Sequence, residues 1–205
     1  MVGAYPGLDS ALGFEEATRG ALKVLIDGLN DEIEARSERW SQADLEWQAF
    51  VGGGIGQTDV PLVLPEHFHE GPHMSVMKAP PEDFPMVAVM SYFTQPVSPR
   101  MDQVTSSNLR LAVEAYCITG PVADAAMSQH EAIVHRKVER TTEAINACLM
   151  RQRDLCGAVQ PGITEGPRGG PGTQSFMRKE ESGAGPQFIW QGSRLEYTLQ
   201  RDSMF

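Results

Sequence analysis

The sequence predicts an α+β domain, in which a mostly antiparallel β-sheet of about four strands is flanked by an N-terminal helix and one long central helix. Apolar residues at helical spacing mark the two helices, and alternating or continuous apolar segments mark the strands. The 20 Gly and 14 Pro exceed the usual share and predict long loops. The length of 205 residues suits one domain, so we expect residues 1–205 to form a single unit.

The N-terminal helix is expected after a loose tail at residues 1–8. It begins at Asp9 or Ser10 and ends near Arg39. A break is possible at Gly28, since glycine weakens a helix interior. The following residues, 40–50, form either a short helix or a covering segment. The apolar stripe of the main helix consists of Leu22, Leu25, Ile26, Leu29 and Ile33.

Two strong strand patterns follow a loop with one short strand predicted at Val60–Leu64. Met86–Phe93 is apolar on both alternating faces, which is typical of a strand covered on both sides. Asn108–Ile118 alternates between an apolar face and a mixed one. The mixed face is either solvated or buried against another subunit. It carries Arg110, Ala112, Glu114, Tyr116 and Ile118.

The central helix is expected over residues 128–153, because a capping box, Ser128 to Glu131, opens it. Its charged side is predicted to face water or a partner. Its apolar side consists of Val134, Val138, Thr141, Ile145, Cys148 and Leu149.

Beyond this helix, residues 157–186 read as an extended Gly/Pro-rich arm within the domain, with a short strand possible at Ser175–Glu181. The arm is expected to become ordered on a neighbouring protein. Two closing strands are predicted at Gln187–Trp190 and Arg194–Arg201.

The charge and composition exclude several classes of function. The formal net charge of −10 disfavours gripping nucleic acid through phosphates or docking on an anionic membrane. No apolar stretch is long enough to span a bilayer, and no secretory signal is recognisable at Met1–Pro6. The three cysteines form no CxxC motif and predict a reducing compartment, the cytoplasm.

The sequence lacks an enzyme signature, and we expect neither a catalytic residue nor a cofactor. One candidate metal site is His67, His69 and His73, where imidazoles share a short segment; a solvated loop is the favoured alternative. Cys117 and Cys148 lie at core positions. Cys156 is the only thiol placed for reactivity, and we expect it to be unreactive. These absences favour an assembly or binding role.

The order of elements, together with Asp83-Phe84-Pro85-Met86-Val87-Ala88-Val89, resembles the tail terminator (tail completion) proteins of long-tailed bacteriophages. That family has a similar "D-F-P-x-V-x-V" strand, followed by a hairpin, a long strand, one helix and a final strand. The resemblance covers about residues 10–39, 83–153 and 186–201.

The resemblance implies a structural virion protein, assembled in the host cytoplasm and placed in the tail or neck. Copies would form a six-membered ring that caps the tube of the major tail tube protein, ends its polymerisation and meets the head-side connector or stopper. DNA would pass through the lumen without specific binding. The alternatives are another neck protein, either an adaptor or a stopper, or a metal-binding enzyme at the histidines. A closed ring needs subunit contacts, and the residues expected to make them are Arg110, Glu114, Tyr116, Arg136, Lys137 and Arg140.

Overall fold

The computed structural model of the chain describes residues 14–50, 60–62, 64–71, 79–93, 109–122, 127–158, 161–168, 176–179 and 187–201. Within these ranges lie two long helices, α1 (Phe14–Phe50) and α2 (Met127–Arg151). A single 3₁₀ turn, Pro81–Asp83, precedes the second strand. The strands are β1 (His67–Glu70), β2 (Met86–Phe93), β3 (Leu109–Val122), β4 (Pro161–Arg168), β5 (Phe176–Lys179) and β6 (Gln187–Arg201). The predicted α+β class, with an N-terminal and a central helix, is confirmed.

The six described strands form one sheet in the order β1–β2–β3–β6–β4, and β5 also pairs with β6. All pairs are antiparallel except β1 with β2, which is parallel. The β3–β6 pair forms the long central ladder of the sheet, which runs from Leu109↔Leu199 to Val122↔Gln187. Strands β2 and β6 therefore sit on either side of β3.

The main core lies between one face of this sheet and the two helices. Alternating residues of β2, β3 and β6 contribute Val87, Val113 and Tyr197, which are at most 1% exposed. The predicted apolar side of α2 is buried against this face. The predicted stripe of α1 is buried too, except that Leu22 is half-buried and Ile26 is 58% exposed.

Helix α1 is longer than predicted. It continues past Arg39 to Phe50 without a break at Gly28, so the residues predicted as a separate segment are its last three turns. Two arginines of α2 pair with Asp44 and hold this extension against α2. The stripe of apolar residues that predicts the helix ends before this extension, so the sequence pattern does not reveal the ion pairs between the two helices. The predicted start of the helix lies outside the described residues.

The strand predicted at Val60–Leu64 is wrong for residues 60–62 and 64, which have no strand structure. A strand forms instead at β1, where His67 pairs in register with Met86 and Glu70 with Val89. The polar sequence of β1 gave no alternating signal. Its parallel pairing with the strongly apolar β2 explains why it is extended.

The C-terminal region differs in two ways from its prediction. Strand β6 is one continuous strand of 15 residues rather than two. Inside the Gly/Pro-rich arm, the short strand predicted at Ser175–Glu181 is confirmed as β5, and β4 is an additional strand. The glycines and prolines of β4 leave no recognisable strand pattern in its sequence. An edge strand tolerates these residues, because fewer of its amides must form hydrogen bonds in the sheet. No described helix is both long and apolar enough to cross a membrane.

Candidate functional site

The sheet face opposite the helices carries a concentration of charged and aromatic side chains. Alternation along the strands places them there, since their neighbours in sequence point into the main core. The predicted residues of β3 lie on this face, joined by side chains of β2 and β6. We call this set the charged face: Tyr92, Arg110, Glu114, Tyr116, Arg194 and Glu196.

A buried carboxylate is the centre of the charged face. Glu114 is 7% exposed and accepts a hydrogen bond of 2.8 Å from the Tyr116 hydroxyl. Its cross-strand neighbour Arg194 donates to its other oxygen at 3.2 Å. Arg194 also donates to Glu196 at 2.9 Å and lies 5.7 Å from the ring centroid of Tyr92. One guanidinium thus pairs with two carboxylates across β3 and β6, with an aromatic ring beneath it.

The two tyrosines of the charged face stay protonated near neutral pH. Burial raises the pKa of Tyr116, and the neighbouring Glu114 carboxylate raises it further. Burial and a hydrogen bond with Glu196 likewise raise the pKa of Tyr92. A hydroxyl that holds its proton this firmly serves as a hydrogen-bond donor, not as a general base. The two hydroxyls are therefore suited to donate hydrogen bonds within this face.

Arg110 is the second cation of the charged face. It is half-buried and donates to the hydroxyl of Thr198. It forms no ion pair with a carboxylate of the described residues, whereas Arg194 forms two.

The predicted contact residues of α2 are engaged within the chain. Arg136 and Arg140 pair with the two oxygens of Asp44 at 3.0 Å and 2.6 Å. Lys137 donates to the carbonyl oxygen of Ile118 at 3.2 Å. The prediction that this side of α2 faces only water or another chain is therefore incomplete, because α1 and β3 lie against it.

The sequence alone did not identify four residues of these two clusters: Tyr92, Arg194, Glu196 and Asp44. The first three come together only through the register of the sheet, in which Arg194 lies opposite Glu114 and contacts Glu196 and Tyr92. The available signal was the pair of charged residues at alternate positions of β6, Arg194 and Glu196. Their partners can be identified only once the pairing of β6 with β3 is known.

The far end of α1 carries large apolar side chains that are exposed on different sides of the helix. Leu45 is 60% exposed, Trp47 49% and Phe50 80%. The rings of Trp47 and Phe50 stack on each other with centroids 5.6 Å apart. We call these three residues the α1 tip.

The candidate metal site is only partly within the described residues. His67 and His69 lie on the same side of β1, as predicted, and His67 Nε2 is 3.9 Å from Asp83. His73 lies outside the described ranges. Among the side chains that are described, no group of three or more His, Cys, Asp or Glu residues is placed to hold a metal ion.

All three cysteines are free thiols, and the two predicted at core positions are buried. Burial raises the pKa of Cys117 and of Cys148 to about 11. Burial also raises the pKa of Cys156. Thiols that resist ionisation are poor nucleophiles, in agreement with the prediction that Cys156 is unreactive.

The raised pKa of Cys148 predicts a loss of stability in alkali. The thiol has its ordinary pKa of 9.0 in the unfolded chain and a pKa of about 11 in the fold, where burial and the nearby Glu32 oppose its charge. Its contribution is complete below pH 9.0 and is lost as the pH rises toward 11. Over this pH range the free energy of unfolding should fall less in Cys148→Ala than in the wild type. The two proteins should differ by up to about 1.4 kcal/mol per pH unit. Urea unfolding of both proteins under reducing conditions measures this, and parallel pH profiles would contradict it.

No known family model matches the chain, and no curated protein is significantly similar to it in sequence.

Proposed function

We propose that the chain is a tail terminator protein of a long-tailed bacteriophage. Copies would close into a ring on the last ring of the tail tube, end its polymerisation and present a surface to the head-side connector. The observation that carries the proposal is the order of elements: α1, the strand β2 opened by Asp83-Phe84-Pro85, β3, α2 and finally β6. These elements follow the order that the resemblance implies, while β1, β4 and β5 are additional strands; the shared elements lie on an antiparallel ladder with both helices on one face.

The α1 tip supports an assembly role. Leu45, Trp47 and Phe50 extend past the part of α1 that packs in the main core, and they offer apolar area to a second molecule. In a ring each subunit presents one surface to its neighbour and a different one to the next, so an extending helix end suits such a contact. We infer that the tip docks on the neighbouring copy or on the tube.

The charge of the chain supports the same role. A ring of subunits with a net charge of −10 each would repel DNA phosphates from its lumen. DNA could then slide through without being held. The charged face would be a contact surface between proteins, and Arg110, which pairs with no carboxylate in the described part of the chain, would be its cation for a partner.

Tube growth in vitro tests this proposal. Purified tail tube protein of the same virus is polymerised with and without the chain, and the tubes are imaged by negative-stain electron microscopy. We expect the chain to stop elongation and to appear as a ring at one tube end. Tubes of unchanged length that carry no added ring would contradict the proposal.

Variants of the α1 tip sharpen the test. Trp47→Ser with Phe50→Ser should remove capping while leaving the unfolding midpoint unchanged, because exposed side chains contribute little to stability, within about 0.5 kcal/mol. The matched control is Ile26→Ser, which removes another exposed apolar side chain from α1, 58% exposed, and should cap normally. Capping by the double variant would exclude the tip from the contact.

A further inference from the structure

A cavity of about 280 Å³ lies where α1, α2, β3 and the segment 60–62 meet. Its walls are apolar on one side, where Ile33 and Val60 are 3% and 6% exposed. The ring of Trp40 also lines it. A cavity of this size accommodates a small organic molecule, and its walls suit an apolar body.

The opposite side of the cavity carries Lys137, a lysine that is half-buried and has no counterion among the described residues. Its ammonium donates to the carbonyl oxygen of Ile118 at 3.2 Å. Burial lowers the pKa of Lys137, which reflects the cost of keeping the charge away from water. A partly desolvated cation with one neutral acceptor gains from an anion placed beside it.

The charges around the cavity reinforce this preference. Arg140 also lines the cavity, held by Asp44 at 2.6 Å and lying 5.6 Å from the centroid of the Trp40 ring. Asp44 is shared between Arg140 and Arg136, and Glu143, which accepts a hydrogen bond from the ring nitrogen of Trp40, pairs with Arg36 outside the cavity lining. Among the residues that the structure describes, no carboxylate lines the cavity. The site is thus locally positive in a chain that is strongly acidic overall.

A second cavity of about 470 Å³ shares Lys137, Cys117 and Pro61 with the first. It is lined by an acidic residue, Glu82, which disfavours an anion there. The smaller cavity is therefore the better match to a negatively charged ligand, with Lys137 at the junction of the two.

We propose that the smaller cavity binds a small organic anion with an apolar body, of the class of medium-chain carboxylates, with its carboxylate on Lys137. The hydrocarbon body would lie against Ile33, Trp40 and Val60. The carboxylate would accept a hydrogen bond from the lysine ammonium and replace water there. This ligand site is independent of the assembly role proposed above.

Isothermal titration calorimetry with octanoate and with 1-octanol tests the site. The two probes share the hydrocarbon chain and differ in the charged group. We expect octanoate to bind the wild type with a dissociation constant about tenfold or more below that of 1-octanol. Lys137→Met keeps the length of the side chain without its charge and should lose this preference.

Two further variants distinguish binding in the smaller cavity from the effect of removing a lysine elsewhere on the protein. Lys23→Met makes the same change on α1 at a residue that pairs with Asp27 and lines neither cavity, and it should bind octanoate as the wild type does. Ser37→Leu fills the cavity from α1 with Lys137 intact and should weaken both probes. Octanoate that does not bind the wild type at millimolar concentration, or that binds Lys137→Met as tightly as the wild type, would overturn the proposal.

Discussion

Replacing Gly20 with alanine should destabilise the protein, although alanine is the better helix former. A Cβ atom on Gly20 would lie 2.5 Å from the backbone oxygen of Leu155 and 2.7 Å from the Cβ of Ala158. The turn that follows α2 therefore contacts α1 at this glycine and leaves no room for a methyl group. Because the first obstacle is backbone, we expect a net loss of about 1–2 kcal/mol in the free energy of unfolding after the helix-propensity gain is counted.

The same substitution at Gly28 should have the opposite sign. The nearest atom to a Cβ there is the Sγ of Cys148 at 4.0 Å, an ordinary contact distance. Gly28→Ala should therefore stabilise the protein by up to about 1 kcal/mol through helix propensity alone. Urea unfolding of the two variants measures both effects. A higher midpoint for Gly20→Ala would show that the turn after α2 does not pack on Gly20 in this way, and a lower midpoint for Gly28→Ala would contradict the open space at Gly28.

Replacing Gly192 with alanine should disrupt the charged face. A Cβ atom at this position would lie 2.4 Å from the ring of Tyr116, which covers the glycine from the neighbouring strand. The ring would have to move away from Trp190, whose centroid is 6.4 Å distant, and from the carboxylate of Glu114. We expect a loss of about 1–3 kcal/mol from the displaced ring and the broken hydrogen bond.

Tyrosine ionisation gives this prediction a local readout. In the wild type, burial and Glu114 keep the pKa of Tyr116 above its ordinary value. In Gly192→Ala, one further tyrosine should titrate near its ordinary pKa of about 10 in an absorbance titration. Gly166→Ala in β4 is the matched control, because nothing lies within 4 Å of the added Cβ, and it should change neither stability nor titration. An unchanged tyrosine titration in Gly192→Ala would count against the geometry of the charged face.

The parts of the fold that the sequence predicts well are those whose signal is local. Met86–Phe93 is apolar on both faces and is observed with the predicted bounds. The apolar side of α2 repeats every three to four residues and is buried as predicted, including Thr141 at 5% exposure. In both cases the residues that determine the element lie within it.

The parts that were missed depend on distant partners. β1 and β4 consist of residues with poor strand propensity and are extended because they pair with β2 and β6. The last turns of α1 depend on ion pairs between Asp44 and the arginines of α2.

In the candidate site, too, local sequence patterns predict some residues, and others are recognised only from their distant partners. The mixed face of β3 was recognised from alternation alone, and Arg110, Glu114 and Tyr116 do lie together on it. The sequence did not reveal that Arg194 lies opposite Glu114 and neutralises it. The intrachain partners of Arg136 and Arg140 on α1 were likewise hidden, because the two helices are far apart in sequence.

We propose that copies of this chain form a scaffold that ends a tail tube. The test is the length distribution of tails, measured by electron microscopy in the virus after its gene for this chain is disrupted. We expect tubes much longer than the wild-type length, without attached heads, and recovery of normal tails when the intact gene is supplied in trans. Tails of normal length in the disrupted virus would contradict it.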